Sequence, residues 1–315
     1  SLQMEMKTDW SYLAETEGKA LLLIQNLFQK KHKTYRDIEA DAALNAEICT
    51  AIAPEMIARI RSNNVSGAFL ILWGNGNAEK PDCFAGIYLR DLYPGEDLPD
   101  NSDLSLLRGP AEIANVQGIP LSDTWKESFS FPGGAQNDRN AYFFQPLLAS
   151  VGKTNATSKS LGYWAPPFLM EKEDRQLVIT YSEPLTDEKG NTYGVLGVEI
   201  NVDTITSFLC GGEFARSGRG CYFFGITRDG GKSYEKITTG GPKYLQFFRE
   251  NDQLLQPVTA SVNGRISVKS TVNGQAMRGA LFPLNLYPEG SRYSGTLWAL
   301  IGMSDESTLF AFRTR

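Results

Sequence analysis

The sequence predicts an α+β protein in which a long N-terminal helix is followed by two units built on antiparallel sheets. Apolar residues recur three or four positions apart between Leu13 and Ile60, and β-rich runs separated by turn residues fill most of the remainder. The length of 315 residues also exceeds what one hydrophobic core usually organises. We therefore expect a helix over residues 1–62, a larger unit over 63–205, a smaller unit over 206–303 and a C-terminal helix over 304–315.

The N-terminal helix has two possible forms. A continuous helix of about 50 residues would be about 75 Å long, so it would follow the long axis of an elongated molecule. The alternative is two packed helices with a break near Thr34. Pro54 is expected to kink or interrupt the helix in either form.

The larger unit should contain two pairs of strands, a long irregular stretch and one helix. Residues 91–140 are rich in Pro, Gly, Asp and Ser, which predicts long surface loops. Gly194 and Gly197 interrupt the last strand and predict a close backbone approach or a bulge. The strands are predicted at 67–73, 84–90, 177–184 and 193–200, and the helix at 142–151.

The smaller unit should begin after a short helix that starts near Asp203 and ends near Phe208. Asn273-Gly274 predicts a type I′ hairpin turn because both central residues of that turn need positive φ. Cys210 and Cys221 enclose a Gly-rich loop and would either form a disulfide outside the cytoplasm or remain two buried thiols. The strands are predicted at 221–227, 265–272, 276–284 and 296–303.

Composition and motifs exclude several classes of function. The net charge is −5 and the pI about 5.2, with no basic stripe, so nucleic acid is not an expected partner. A single histidine and the absence of any C-x-x-C pair predict no metal site. No catalytic or phosphate-binding motif is present, so we expect no catalytic residues, no enzyme activity and no cofactor. The sequence has no apolar run long enough for a membrane span and no signal peptide, and its two ends suggest a fragment excised from a longer chain.

Residues 163–205 carry a family resemblance. They contain an aromatic-Pro loop at 163–168, a strand that ends in Ser182-Glu183-Pro184, and the run from Gly194 through Gly197 to Glu199 and Ile200. This stretch resembles the signature of double Cache sensor domains, the extracytoplasmic ligand-binding modules of bacterial and archaeal receptors. The resemblance covers most of the chain in layout, but only residues 140–205 carry its specific motifs.

The resemblance implies a membrane-distal and a membrane-proximal subdomain, each PAS-like, with the ligand in the distal pocket. It also implies flanking membrane helices in the full-length protein and a homodimer in the receptor. The expected function is small-molecule sensing on the extracellular or periplasmic side of the plasma membrane. The receptor would be a histidine kinase, a chemoreceptor or a diguanylate cyclase.

The region 140–200 is a candidate pocket because it combines many aromatic residues with few charges. The alternative is that these rings fill the subdomain core. Trp125, in the long predicted loop, would cap the pocket or pack elsewhere. The aromatic candidates are Tyr142, Phe143, Tyr163, Trp164, Phe168 and Tyr181.

Amino-acid-sensing double Cache domains share an Arg-x-Trp-Tyr clamp, a Tyr-x-Asp and a final acid. The resemblance aligns the clamp with residues 140–143, the Tyr-x-Asp with 168–170 and the acid with Glu199. Asn140 then replaces the guanidinium, although Arg139 is adjacent, and Met170 replaces one acid. A carboxylate without a guanidinium loses a charge-assisted fork. We therefore expect a small-molecule ligand that is not a standard α-amino acid, with Glu199 contacting a cationic or hydroxyl group.

Two other readings of the sequence remain open. A domain of a secreted carbohydrate-active enzyme would use the aromatics to stack on sugars and two facing carboxylates for chemistry. A surface adhesion module would instead present a large exposed apolar face and no pocket.

Overall fold

The computed structural model describes residues 2–63, 65–74, 82–96, 98–153 and 156–305 of the chain. The chain divides into two compact units. Met4–Asn201 form the N-terminal unit, and the residues from Val202 onward form the C-terminal unit together with the first residues of the chain. Each unit contains one seven-stranded sheet, which confirms the predicted α+β class.

The N-terminal helical segment is two packed helices, the alternative that the sequence left open, and not one continuous helix. His32 ends the first of them in the left-handed conformation with a φ of 55°. Ion pairs then link the two helices in antiparallel fashion, Lys19 with Glu55 and Lys31 with Glu47. The elements are α1 (Leu2–Met4), a π-helical turn (Glu5–Trp10), α2 (Ala14–Lys31), a 3₁₀ turn (Tyr35–Glu39) and α3 (Ala42–Asn63).

Pro54 lies inside α3 without ending it. The apolar spacing continues across the break between α2 and α3, so periodicity alone did not reveal the break. Lys30 and Lys31 occupy the last turn of α2, where cations interact favourably with the negative end of the helix dipole.

The sheet of the N-terminal unit has the strand order β5-β4-β3-β1-β9-β8-β7. All neighbouring strands are antiparallel except β4 and β5, which are parallel. The four strands that the sequence predicted are present as β1, β3, β8 and β9. The elements are β1 (Gly67–Leu72), β2 (Asp82–Phe84), β3 (Gly86–Asp91), β4 (Leu104–Arg108), α4 (Glu112–Gln117), β5 (Leu121–Lys126), β6 (Phe129–Ser130), α5 (Ala141–Ser150), β7 (Tyr163–Phe168), β8 (Val178–Thr186) and β9 (Thr192–Asn201).

The central strands are buried on both faces of this sheet. Helices α2 and α3 contact β1, β3 and β8, and α5 contacts β7, β8 and β9. Successive side chains of β8 point to opposite sides of the sheet. Ser182 donates to the carbonyl oxygen of Tyr142 in α5, whereas Tyr181 and Glu183 point to the other side. We call the side covered by α5 the α5 face, and the side covered by the antiparallel helices α2 and α3 the hairpin face.

The prediction of long surface loops over 91–140 is wrong. Leu104–Arg108 forms a fully buried strand, and α4, β5 and β6 follow within the same stretch. The Pro, Gly and Asp residues mark the turns between these short elements, which composition did not separate from a loop.

The two glycines of β9 do mark close approaches. Gly194 has a φ of 155°, and a Cβ there would lie 2.1 Å from a backbone oxygen of Ile71. A Cβ at Gly197 would lie 2.3 Å from the ring of Phe69, which packs over this position. Both positions therefore need glycine for contact with β1.

The C-terminal unit has the strand order β12-β11-β10-β16-β15-β14-β13, with antiparallel pairings throughout. The four predicted strands correspond to β10, β14, β15 and β16, while β11, β12 and β13 were not predicted. The elements are α6 (Val202–Cys210), α7 (Glu213–Arg216), β10 (Cys221–Thr227), β11 (Tyr234–Gly240), α8 (Tyr244–Phe247), β12 (Leu254–Leu255), β13 (Pro257–Val262), β14 (Arg265–Lys269), β15 (Ala276–Leu284) and β16 (Leu297–Asp305).

The type I′ turn lies at a different Asn-Gly pair from the predicted one. Asn263 and Gly264 have φ values of 51° and 72° and join β13 to β14. Of Asn273 and Gly274, only Gly274 has a positive φ. Asn-Gly does form the type I′ turn, but it does so at the pair that is the two-residue connection between paired strands, Val262 being opposite Arg265.

Two further predictions concern the ends of this unit. Cys210 is exposed, Cys221 is buried in β10, and both are free thiols, so the disulfide is not formed. Ser304 and Asp305, predicted to begin a helix, belong to β16, and residues 306–315 of that predicted helix lie outside the described residues.

Candidate ligand-binding site

A buried group of charged side chains lies on the α5 face of the N-terminal sheet, with Arg90 at its centre. Arg90 in β3 and Glu199 in β9 both pair with Gly67 of the strand between them. Because Gly67 has no side chain, the guanidinium of Arg90 reaches across β1 to the carboxylate of Glu199. The register of three strands thus positions this ion pair.

Arg90 holds two carboxylates at once. Its Nε and Nη2 donate to Glu199 at 3.1 and 2.9 Å. Its Nη1 and Nη2 donate to Asp174 at 2.8 and 2.9 Å. Asp174 lies in the segment between β7 and β8, so this pairing fixes that segment to the sheet.

The hydroxyl of Tyr88 completes the surroundings of Glu199. It donates to the Glu199 carboxylate and accepts from Nη2 of Arg90 at 2.7 Å. Burial, and then the neighbouring carboxylate, raise the pKa of Tyr88 well above its ordinary value. Tyr88 therefore stays protonated and remains a donor. Glu199 is only 1% exposed, and these partners offset the cost of burying its charge.

A second ion pair lies beside the first. Nη2 of Arg108 in β4 donates to the Glu171 carboxylate at 2.6 Å. Nη1 donates to the carbonyl oxygens of Leu107 and Thr124. The backbone N–H of Glu171 donates to Asp174 at 2.9 Å, which closes the turn 171–174. Burial raises the pKa of Glu171, and the Arg108 guanidinium opposes that rise. We call Tyr88, Arg90, Arg108, Glu171, Asp174 and Glu199 the charged cluster.

Aromatic rings border the charged cluster. Tyr142 of α5 stacks on Phe168 with centroids 5.4 Å apart and meets the edge of Phe69 at 5.3 Å. Burial raises the pKa of Tyr142; the Glu171 carboxylate adds to the rise and Arg108 opposes it.

The charged cluster remains partly accessible. The side chains of Arg90 and Asp174 are 18% and 16% exposed, and those of Arg108 and Glu171 are 9% and 12% exposed. The cluster holds two guanidinium and three carboxylate groups, which leaves one negative charge in excess when all are ionised. The guanidinium of Arg139, beside the turn 171–174, adds a third cation, so the region offers both carboxylates and guanidiniums to a ligand.

Several residues that the sequence singled out lie at or beside the charged cluster. Glu199 belongs to it, and Tyr142 and Phe168 form its aromatic border. Met170 is half-buried against the apolar core that contains Phe69 and Tyr142. Arg139 is exposed, and its guanidinium donates to the carbonyl oxygen of Leu169 at 2.9 Å, close to the turn 171–174.

Other predicted residues support the structure around it. Phe143 is fully buried and stacks on Phe131 with centroids 4.6 Å apart, while Tyr163 packs at the edge of the same core. The side chain of Asn140 donates to the carbonyl oxygens of residues 132 and 134, so it holds the loop before α5. Trp125 is half-buried in β5 and donates to the carbonyl oxygen of residue 109.

Trp164 and Tyr181 lie on the opposite face of the sheet. They pair across β7 and β8, and their rings pack with centroids 5.0 Å apart. The hydroxyl of Tyr181 donates to Glu183 at 2.7 Å on the hairpin face. These two predicted residues therefore do not meet the charged cluster.

Sequence reasoning missed five members of the cluster, Tyr88, Arg90, Arg108, Glu171 and Asp174. Arg90 is the penultimate residue of β3 and Arg108 the last residue of β4, both buried strands; a charge is unusual there and was the available signal. Glu171 and Asp174 lie in the connection between β7 and β8, for which the sequence analysis predicted no role.

The described part of the chain contains no group of three or more His, Cys, Asp or Glu side chains that could hold a metal ion. No helix within the described ranges is long and apolar enough to cross a bilayer.

Comparison with known proteins identifies one segment directly. Residues 149–207 match the family model of the first PDC sensor domain of methyl-accepting chemotaxis protein-like receptors. The match confirms the predicted resemblance to a sensor domain and the predicted function of sensing a ligand, and it gives no support to a carbohydrate-active enzyme. Sensor domains of this family are non-catalytic ligand-binding modules. None of the curated proteins matches the chain.

Solved structures with similar folds include ligand-binding domains of bacterial chemoreceptors and the extracellular domain of a putative histidine kinase. The domain of the Pseudomonas aeruginosa amino acid chemoreceptor PctC, in complex with GABA, is 15% identical, with a TM-score of 0.41 over 94% of this chain and 99% of that chain. The domain of Pseudomonas fluorescens CtaA, in complex with L-leucine, is 15% identical, with a TM-score of 0.42 over 98% and 92%. The domain of Campylobacter jejuni Tlp3, in complex with L-valine, is 13% identical, with a TM-score of 0.44 over 95% and 96%.

The amino acids in these structures contradict one prediction. We expected a ligand other than a standard α-amino acid, and that expectation is wrong. Its physical argument also fails, because it assumed that Asn140 and Met170 left the site without a guanidinium and an acid. The structure brings Arg90 and Arg108 to the site from other strands, together with the acids of the turn 171–174.

Proposed function

We propose that the N-terminal unit binds a small zwitterion at the charged cluster and that the chain is the extracytoplasmic sensing part of a membrane receptor. The observation that carries the proposal is a partly accessible cluster of three carboxylates and two guanidiniums that is bordered by Tyr142 and Phe168. Titratable groups whose pKa values are shifted by burial and by neighbouring charges are frequent at functional sites.

The ligand chemistry follows from the charges. An ammonium group would interact with the carboxylates of the cluster. A carboxylate would bind Arg139, which is exposed beside the turn 171–174, or compete with Glu171 for Arg108. The face of Phe168, which is half-buried, would pack against the apolar part of the ligand.

Arg108 can pair either with Glu171 or with a ligand carboxylate, which gives the site a ligand-free and a ligand-bound state. A ligand carboxylate that displaces Glu171 from Arg108 frees a carboxylate for the ligand ammonium, so the ionic interactions are replaced and not lost. The turn 171–174 would move with Glu171 because Asp174 accepts from its backbone N–H. Ligand binding shifts such an equilibrium by its difference in affinity for the two states.

The receptor context is part of the same proposal. The matched family is a sensor domain of methyl-accepting chemotaxis protein-like receptors, and the homologues are periplasmic sensor domains of membrane receptors. We accordingly propose membrane-distal and membrane-proximal roles for the N-terminal and C-terminal units, membrane helices outside the region described here, and a dimeric receptor. The module itself would have no catalytic activity.

A thermal-shift screen with amino acids, including L-leucine, L-valine and GABA, tests the proposal. We expect at least one compound to raise the melting temperature, because a ligand that binds only the native state stabilises it. Glu171→Gln removes one charge of the cluster and should weaken binding about tenfold, the effect of losing a charge-assisted hydrogen bond.

Glu173→Gln is the matched control, because Glu173 is exposed in the same turn. It should bind as tightly as the unmodified protein. A screen without any stabilising compound, or equal affinities for the two variants, would contradict the proposed site.

A further inference from the structure

The strands β13, β14 and β15 of the C-terminal unit come from a stretch of the sequence that has no acidic residue. The chain contains 36 Asp and Glu residues and has a net charge of −5, yet residues 253–288 contain neither type. The charged residues of this stretch are the cations Arg265, Lys269 and Arg278. Such asymmetry of charge within an acidic chain indicates an anionic partner for this region.

The alternation of side chains puts these three cations on one face of the sheet. Ile266 and Val268 of β14 and Met277 of β15 belong to the buried core of the unit. Their neighbours along each strand therefore point to the opposite face, and all three cations are exposed there. Asp305 of β16 is opposite Met277, so this acid belongs to the core side.

Each cation is opposite a small side chain on the neighbouring strand. The pairs are Arg265 with Ala280, Arg278 with Ser267, and Lys269 with Ala276. Alanine and serine are too short to cover an arginine or a lysine, so the charged groups project from the sheet. Arg265 and Lys269 are about 13 Å apart along β14, at about 3.3 Å per residue.

Two exposed apolar side chains lie on the same face as the cations. Val262 of β13 is opposite Arg265 and is 68% exposed. Phe282 follows Ala280 by two positions on β15 and is 54% exposed. Arginine and lysine beside exposed apolar side chains are typical of protein surfaces that lie at a membrane interface.

We propose that Val262, Arg265, Lys269, Arg278 and Phe282, which we call the basic face, bind the surface of a membrane that contains anionic lipids. The cations contact lipid phosphates, and the two apolar side chains enter the headgroup region. A lipid surface offers anionic groups and an apolar layer together over the whole face. The inference rests on the receptor context proposed above, which puts the C-terminal unit beside the membrane.

The expected affinity is modest. A cation close to an anionic lipid surface increases the binding constant about fivefold, so three cations increase it on the order of 100-fold over neutral lipid. In a receptor the membrane helices already hold the domain near the bilayer, which gives the basic face a high effective concentration of lipid. Weak binding is therefore sufficient to fix the orientation of the C-terminal unit on the membrane.

Co-sedimentation with lipid vesicles tests the proposal. One set of vesicles contains equal parts of phosphatidylglycerol and phosphatidylcholine, and the other contains phosphatidylcholine alone. We expect the protein to sediment with the anionic vesicles and to bind the neutral ones on the order of 100-fold more weakly. Binding should be lost in about 1 M salt, where the Debye length falls to about 3 Å.

Charge reversal at two positions locates the binding surface. The double variant Arg265→Glu/Lys269→Glu should bind anionic vesicles at least about tenfold more weakly. The matched control is Arg216→Glu/Lys232→Glu, which changes the net charge equally at exposed positions outside the basic face, and it should keep most of the binding. Phe282→Ser should weaken binding about fivefold and leave its salt dependence unchanged, because it removes apolar contact and no charge.

Equal binding to the two kinds of vesicle would overturn the proposal, and so would an equal loss of binding in the two double variants. Absence of vesicle binding together with salt-sensitive self-association that Arg265→Glu/Lys269→Glu abolishes, measured by analytical ultracentrifugation, would overturn it in favour of a second copy of this chain. None of these outcomes alters the thermal-shift screen with amino acids, so a failure here is distinguishable from a failure of the proposed function.

Discussion

Replacement of Arg90 by methionine should strongly destabilise the N-terminal sheet. The substitution leaves the Glu199 carboxylate, 1% exposed, with Tyr88 as its remaining partner, and it leaves Asp174 without its guanidinium. Removal of one member of a buried ion pair costs about 3–5 kcal/mol, because the other charge stays buried. For a unit of this size that corresponds to a melting temperature lower by roughly 6–20 °C.

Much of this loss should be recovered by a second substitution. Glu199→Gln removes the stranded charge, so the double variant should be more stable than the sum of the single effects predicts, by about 1–3 kcal/mol. Hydrogen exchange of the backbone amides of β3 and β9 is the suitable assay, because it reports on this sheet even when the two units unfold separately. Additive effects of Arg90→Met and Glu199→Gln would show that the ion pair is not a coupled buried unit.

Three other predictions follow from the same structure. Burial raises the pKa of Glu183 from 4.5 to about 7, so folding takes up a proton between these two pH values. The free energy of unfolding should therefore fall by up to about 3 kcal/mol as the pH rises through this window. Glu183→Gln should remove that fall, which denaturation curves at pH 5 and pH 8 would measure. Gly194 has a φ of 155°, and an added Cβ would lie 2.1 Å from a backbone oxygen, so Gly194→Ala should lower the free energy of unfolding by more than about 2 kcal/mol. Gly18 lies inside α2 with open space around it, so Gly18→Ala should raise the free energy of unfolding by about 0.5–1 kcal/mol in the same denaturation assay. Native protein treated with iodoacetamide should be alkylated at the exposed Cys210 and not at Cys221, whose pKa burial raises to about 12; equal labelling in a mass-spectrometric peptide map would refute this.

The strands were the most predictable part of the fold. β8 and β9 combine continuous apolar runs with a polar turn between them, and every residue of both except the terminal Thr186 and Asn201 is buried. The break between α2 and α3 was harder to locate, because His32 ends the helix through backbone conformation without interrupting the apolar period.

The charged cluster was less predictable because its charges meet only through the sheet register. Arg90 and Glu199 are 109 positions apart and come together across Gly67, a contact that spacing along the chain does not reveal. The side of the sheet on which Trp164 and Tyr181 lie was unpredictable for a different reason. Aromatic content marked the segment that borders the charged cluster, but the alternation of side chains along β7 and β8 decides which rings face α5.

The position of a bound zwitterion in a crystal structure of the domain tests the central claim most directly. An amino acid that raises the melting temperature should lie beside Tyr142 and Phe168. Its ammonium should be within hydrogen-bond distance of Glu171, Asp174 or Glu199, and its carboxylate should contact Arg108 or Arg139. A stabilising amino acid located in the C-terminal unit would contradict the assignment of the charged cluster as the sensing site.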